Sequence, residues 1–230
     1  MTPQTIPDNI RLIENLQGKK EFKNSTFWII GSDPNLDYYP DDFFNNKFTI
    51  AVNFSCIAFP ESAFFYMSME KKLELIISKY PGCLKKTFIW VDHWENWGLE
   101  PIYFKIEIKA LPDTPPDYES LVKRLLGNGS CDFIKTRTSV HYAIFAAVVL
   151  GAKKIILVGC SHRTSKGKNY AHKRGMGDIV YEKGLIYGPA FDRMRRDTIQ
   201  LAKVFKNYGI EVIRHRFDED KNEFLFEEIK

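Results

Sequence analysis

Cysteine is scarce in this 230-residue chain: the four that occur, Cys56, Cys83, Cys131 and Cys160, lie far apart and form no Cys-x-x-Cys pair. That spacing argues against a zinc cluster or a disulfide framework and reads as reduced, mostly buried thiols. Long apolar runs are also missing, since none approaches the roughly 18 residues a spanning helix needs. Residues Met1 to Glu14 carry Pro3, Pro7, Asp8 and Glu14 where a signal peptide would have its apolar stretch. A cytoplasmic protein without a transmembrane segment is expected. Charge of one sign is not concentrated either. The formal net charge is +4, and no segment gathers Lys and Arg as a nucleic-acid-binding arm does, so no nucleic-acid partner is expected.

What is present suits a buried core. Hydrophobic residues make up 44% and charged residues 27%, a balance in the range of one domain of this size, with no Pro/Ser linker, repeat or low-complexity break to divide residues 1–230. Thr26 to Ile30 is a compact apolar run ending at Gly31, Phe48 to Phe54 and Phe64 to Met67 are further strands, and Glu70 to Lys79 is a charged helix stopped by Pro81-Gly82. Thr87 to Val91 reads as a strand and Ile102 to Ile108 as an edge strand. Asp117 to Leu126 reads as a helix ended by Gly127-Asn128-Gly129, and Ser139 to Leu150 as an apolar helix ended by Gly151. Strand Lys154 to Val158 closes on Gly159, helix Arg193 to Tyr208 follows, and Ile210 to Arg214 is the last strand. A short helix over Ile10 to Gln17 precedes them all. This alternation predicts an α/β fold: a single Rossmann-like domain whose mostly parallel sheet carries helices on both faces and a ligand crevice at the carboxyl ends of its strands.

The polar residues at those strand ends carry the chemistry. Gly31-Ser32-Asp33-Pro34-Asn35-Leu36 follows the first long strand; glycine lets a ligand approach the backbone, and the small polar groups offer donors to phosphate or ribose, although an ordinary turn has the same composition. Asn53 ends the next strand, where its amide can present a donor and an acceptor. Thr136-Arg137-Thr138-Ser139 opens a helix, so hydroxyls, backbone N–H groups and a guanidinium converge at its positive end, with simple capping as the plainer role. After Gly159 come Cys160, Ser161, His162 and Arg163, then a long polar stretch to Pro189 with Tyr170, His172, Tyr181 and Tyr187. A loop of that length serves as a lid or binding loop. Asp92-His93-Trp94 and Trp97 border another strand end, with packing as their more ordinary role. Asp218-Glu219-Asp220 has the look of an acidic metal motif, but it falls in a charged tail, and no metal site is expected.

Gly31 to Leu36, Ala51-Val52-Asn53, Thr138-Ser139 and Leu150 to Gly159, in this order, resemble the bacterial sialyltransferases of glycosyltransferase family 42 and the related MptE-like domain of unknown function 115. The resemblance runs from Thr26 to Arg214. It implies a CMP-sugar donor, transferred with inversion and without a metal to a glycan or other hydroxyl acceptor. It also implies nucleotide contacts from Gly31, Ser32, Asp33, Asn35, Asn53, Thr138, Ser139 and Tyr170, to which the residues themselves add Arg137, Ser161, Arg163 and Tyr187 as polar, cationic and phenolic groups beside the same strand ends. Asp33 stands where the family has a glycine, Ser161 where a carboxylate is usual, and the family's histidine before the last helix is replaced near Pro189, so the base falls to His162 or His172. Two alternatives stand beside this reading: an MptE-like diphosphokinase using ATP and Mg²⁺, and a nucleotide-binding module without turnover. A homo-oligomer is compatible with each.

Overall fold

The structure is a computed structural model, and it describes residues 11–12, 20–53, 55–60, 65–68, 87–90, 101–103, 116–128, 138–161 and 189–229. Its strands are β1 (Arg11–Leu12), β2 (Thr26–Ile30), β3 (Phe48–Val52), β4 (Phe65–Ser68), β5 (Thr87–Trp90), β6 (Pro101–Tyr103), β7 (Lys154–Val158), β8 (Glu211–Asp218) and β9 (Glu223–Glu228). The helices are α1 (Ser55–Ala58), α2 (Tyr118–Asn128), α3 (Ser139–Leu150) and α4 (Pro189–Asn207), with a 3-10 helix over Pro34–Tyr38. Among the described residues these strands form one mixed sheet in the order β1-β6-β5-β4-β3-β2-β7-β8-β9, in which every pairing is parallel except that of β8 with β9.

Alternation along the central strands divides the core in two. Phe27 and Ile29 of β2, Ile50 and Val52 of β3, Ile155 and Leu157 of β7 and Val212 of β8 share one buried cluster with α2, α3 and α4. Helix α3 is apolar on all sides and buried at every position, as a helix enclosed between a sheet and other helices must be. It ends in a Schellman arrangement, with the Gly151 N–H on Val148 O and the Ala152 N–H on Ala147 O, each at 2.9 Å. The opposite face shows Trp28 of β2 and His215 of β8. Tyr39, at the C-cap of the 3-10 helix, and Phe43 and Phe44, in the turns after it, pack over these side chains.

Three expectations change. Arg11–Leu12 pairs in parallel with Ile102–Tyr103 of β6 and is strand, not the start of a helix, because the backbone groups at the sheet margin are satisfied by pairing. The same pairing moves β6 inside the sheet, so Ile102 does not begin an edge strand. The acidic C-terminal region is not a tail: β9 returns antiparallel to β8, with Phe224 opposite Phe217 and Phe226 opposite His215. Asp218 closes that hairpin, accepting the Asp220 N–H at 3.1 Å and an Arg216 guanidinium N–H at 3.0 Å. No helix among the described residues is long and apolar enough to cross a membrane.

Candidate functional site

β2 lies between β3 and β7, so the chain leaves β2 toward one side of the sheet and leaves β7 toward the other. In an open parallel sheet that reversal opens a crevice outside the carboxyl ends of the two strands. The loops that follow them meet there. Gly31 has no room for a side chain: a Cβ on it would lie 2.2 Å from Gly159 O and 2.7 Å from Cys160 Sγ. Gly159 holds a φ of +63°, and a Cβ there would press on Leu36.

Asp33 locks this crossing. Its N–H donates to Gly159 O at 3.0 Å, its Oδ1 accepts the Asn35 N–H at 2.9 Å as the cap of the 3-10 helix, and its Oδ2 accepts the Ser161 N–H at 2.9 Å. The carboxylate thus takes two backbone donors that a phosphate would otherwise use. It also acts on its neighbours: burial and then the Asp33 charge push the Cys160 thiol up, against an opposing pull from Arg214, so the sulfur is a neutral packing group and not a nucleophile. The Asn35 amide faces away from the crevice. It clasps the β8 backbone, donating to Phe217 O and accepting the Phe217 N–H, both at 2.9 Å.

The neighbouring strand end has a different character. Asn53, directly after β3, adopts a left-handed φ of 53° and is half-buried; its Nδ2 reaches Ser139 Oγ at 3.2 Å. Asparagine takes left-handed backbone more readily than other residues with a side chain, and Asn24, Asn46 and Asn222 do so as well, so the conformation fixes the direction of the Asn53 amide at little cost. Thr138 caps α3, its Oγ1 accepting the Val140 N–H at 3.0 Å, so the positive end of a fully buried helix opens beside the Asn53 amide.

The structure therefore brings Gly31, Ser32, Asp33, Asn53, Thr138, Ser139 and Ser161 to one edge, while Asn35 is committed to β8. Arg137, His162, Arg163, Tyr170, His172 and Tyr187 lie outside the described residues, as do Asp92, His93, Trp94, Trp97 and Tyr181. Sequence reasoning passed over two supports. Ser55 donates to Ile30 O at 2.5 Å and accepts the Val52 N–H at 2.7 Å, tying the ends of β2 and β3 together. His141, buried in the first turn of α3, meets Thr198 Oγ1 of α4 at 2.7 Å. The Thr198 hydroxyl donates to Met194 O at 2.8 Å, so the histidine must be the donor in that pair, through Nε2–H. An Asn just past a strand followed by a Ser two residues later is a local signal; a buried histidine inside an apolar helix signals nothing about its partner.

A helix N-terminus, the Asn53 amide and the hydroxyls of Ser32, Thr138, Ser139 and Ser161 border this edge, groups able to hydrogen-bond an anion or a hydroxyl-bearing ring. No protein-family model matches the chain, and no curated protein matches it by sequence.

Proposed function

We propose that this carboxyl edge, in a Rossmann-like domain, binds the phosphate and sugar of a nucleotide, and that the chain is a sugar-nucleotide-dependent glycosyltransferase of sialyltransferase-like type using a CMP-sugar donor. The observation that carries the reading is the contact of the Asn53 amide with Ser139 at the N-terminus of α3, beside the β2–β7 crossing. Asp33 serves in it as the clamp that shapes the crevice, and Ser32, Asn53, Ser139 and Ser161 as the groups nearest the ligand.

In the proposed inverting step the acceptor hydroxyl loses its proton to a base, His162 or His172, while its oxygen forms a bond to the anomeric carbon. The bond from that carbon to the donor phosphate oxygen breaks, and CMP leaves with the electron pair. Arg137, Arg163, Tyr170 and Tyr187 supply the cationic and phenolic groups that stabilise the departing phosphate. The step needs no redox partner.

A thermal-shift panel of CMP, CDP, UDP, GDP and ATP, the last with and without magnesium, tests the reading, because a ligand selective for the native state raises its midpoint. Selective stabilisation by CMP, followed by donor hydrolysis, supports it. Stabilisation by magnesium-ATP alone replaces it with diphosphate transfer. A CMP shift without turnover in the presence of acceptors leaves a binding module, and no shift with any nucleotide overturns the site.

A further inference from the structure

In an open parallel sheet the phosphates of a nucleotide rest beside the strand crossing, against a helix N-terminus. Two helix starts border the β2–β7 crossing, and they treat an anion differently. The 3-10 helix after β2 already holds one: Asp33 caps it, with Oδ1 on the Asn35 N–H and Oδ2 on the Ser161 N–H, both at 2.9 Å. Asp33 is 8% exposed, and among the described residues no Lys, Arg or His nitrogen stands in ion-pair contact with it. Its charge reaches its neighbours, adding to burial in pushing the Tyr39 hydroxyl and the Cys160 thiol up. A carboxylate held by backbone N–H groups where water is scarce repels a second anion more strongly than one at the surface.

Helix α3 offers an anion a small set of donors. Thr138 takes two of its first N–H groups, that of Val140 on Oγ1 and that of His141 on the backbone O, each at 3.0 Å. Ser139, also 8% exposed, accepts from Asn53 Nδ2 at 3.2 Å, so its own hydroxyl proton and its backbone N–H meet no acceptor among the described residues. Those two donors and the helix dipole suit one phosphate group. Strand β3, which leads to Asn53, and β7, which leads to Ser161, flank β2 and stand about 10 Å apart. A ligand anchored at Ser139 and extended toward Ser32 and Ser161 therefore brings whatever follows its first phosphate up to the Asp33 carboxylate. Sugar hydroxyls can donate to that carboxylate; the oxygens of a second phosphate are repelled.

We infer that Asp33 is a specificity-determining residue, whose carboxylate leaves room for a nucleotide with one phosphate at α3 and bars a second phosphate from the β2–β7 crossing. Resting on the nucleotide reading, this role sets a like charge against the wrong ligand in addition to contacts with the right one.

Calorimetric titration of the full chain with CMP, CMP esterified to glycerol, and CDP, each with and without magnesium, tests the inference. The glycerol ester extends past the phosphate as CDP does but carries no second phosphate. Wild-type protein binds CMP and the ester with similar affinity and CDP at least about tenfold more weakly, in both conditions. In Asp33→Asn, which keeps the size of the side chain and removes its charge, CDP comes to within about threefold of CMP, with thermal unfolding confirming a folded variant. A purely structural Asp33 would weaken all three ligands alike and leave their ratio unmoved. CDP bound by the wild type as tightly as CMP, an ester as weak as CDP, CDP binding restored by magnesium, or an unchanged ratio in folded Asp33→Asn would each overturn the role of Asp33. Should that variant not fold, the wild-type comparison of ester with CDP decides between charge and size. CMP bound without discrimination removes this role alone, whereas absence of binding by all three ligands removes the nucleotide reading and the role with it.

Discussion

Asp33 and Asn53 each follow a strand of the same parallel sheet, yet they have become different kinds of residue. Asp33 is 8% exposed and gives both carboxylate oxygens to backbone N–H groups from two loops, whereas Asn53 is half-buried in a left-handed conformation and extends its amide toward a helix N-terminus. The comparison teaches that polar residues at one sheet edge differ in what they join: Asp33 ties together the backbones of two loops, whereas Asn53 bonds a side chain at the start of a helix.

The largest effect should come from the closed side. Gly31→Ala places a methyl group against Gly159 O, a backbone atom that cannot rotate away, and should cost about 3 kcal/mol in denaturant unfolding. A variant as stable as the wild type would mean that the two loops do not meet as described. Asp33→Ala leaves the half-buried Asn35 and Ser161 donors without acceptors and should cost about 1–2 kcal/mol. Asp33→Asn should lie between that variant and the wild type, because one carbonyl oxygen remains.

A pH experiment probes the sheet face that carries the aromatic cover. His215 lies among Phe43, Phe224 and Phe226, with its Nδ1 2.9 Å from Tyr39 Oη; burial, and secondarily the Lys47 ammonium, push it down to about 4. The unfolded chain takes up its proton near pH 6.5 while the native ring stays neutral. Its contribution is therefore complete above about pH 6.5 and is lost progressively as pH falls toward about 4, on the order of 2 kcal/mol. Unfolding midpoints measured across that window should fall less steeply in His215→Phe, which keeps a ring in the stack. An identical slope in the two proteins would assign the acid sensitivity to other groups.

The smallest change in stability, and the most informative about function, is expected of Asn53→Gly. Glycine adopts the left-handed backbone freely, so the fold should change by only a few tenths of a kcal/mol. Loss of the amide should lower nucleotide affinity about tenfold, or about 1.4 kcal/mol. If affinity is unchanged in a fully folded variant, Asn53 belongs with Asp33 as a structural residue, and the contrast between the two strand ends disappears.

The limits of legibility follow from distance along the chain. Strands at 26–30, 48–52 and 154–158 and the helix at 139–150 could be read from apolar runs, helical period and punctuating glycines, because each signal lies within a dozen residues. The sequence placed Asn53 and Ser139 each at the end of an element but not against each other, since the bond between them spans 86 positions. The commitment of Asn35 to Phe217 likewise spans 182 positions, and that of Asp33 to Ser161 spans 128. Both side chains have the composition of a ligand-binding turn, and only their partners reveal the structural role. The β9 strand was obscured by its charge: its glutamates suggested a tail, while Phe224 and Phe226 were placed by pairing with β8.

By itself the sequence determined the kind and order of the central elements, since local periodicity and turn chemistry act within a few bonds of each residue. Only the tertiary structure decided that α4 packs beside the first turn of α3, that Asn35 turns to β8, and which polar groups at the carboxyl edge are already bonded. Those outcomes depend on contacts between segments far apart in the chain, where packing and the requirement to satisfy every buried polar group select among many local possibilities.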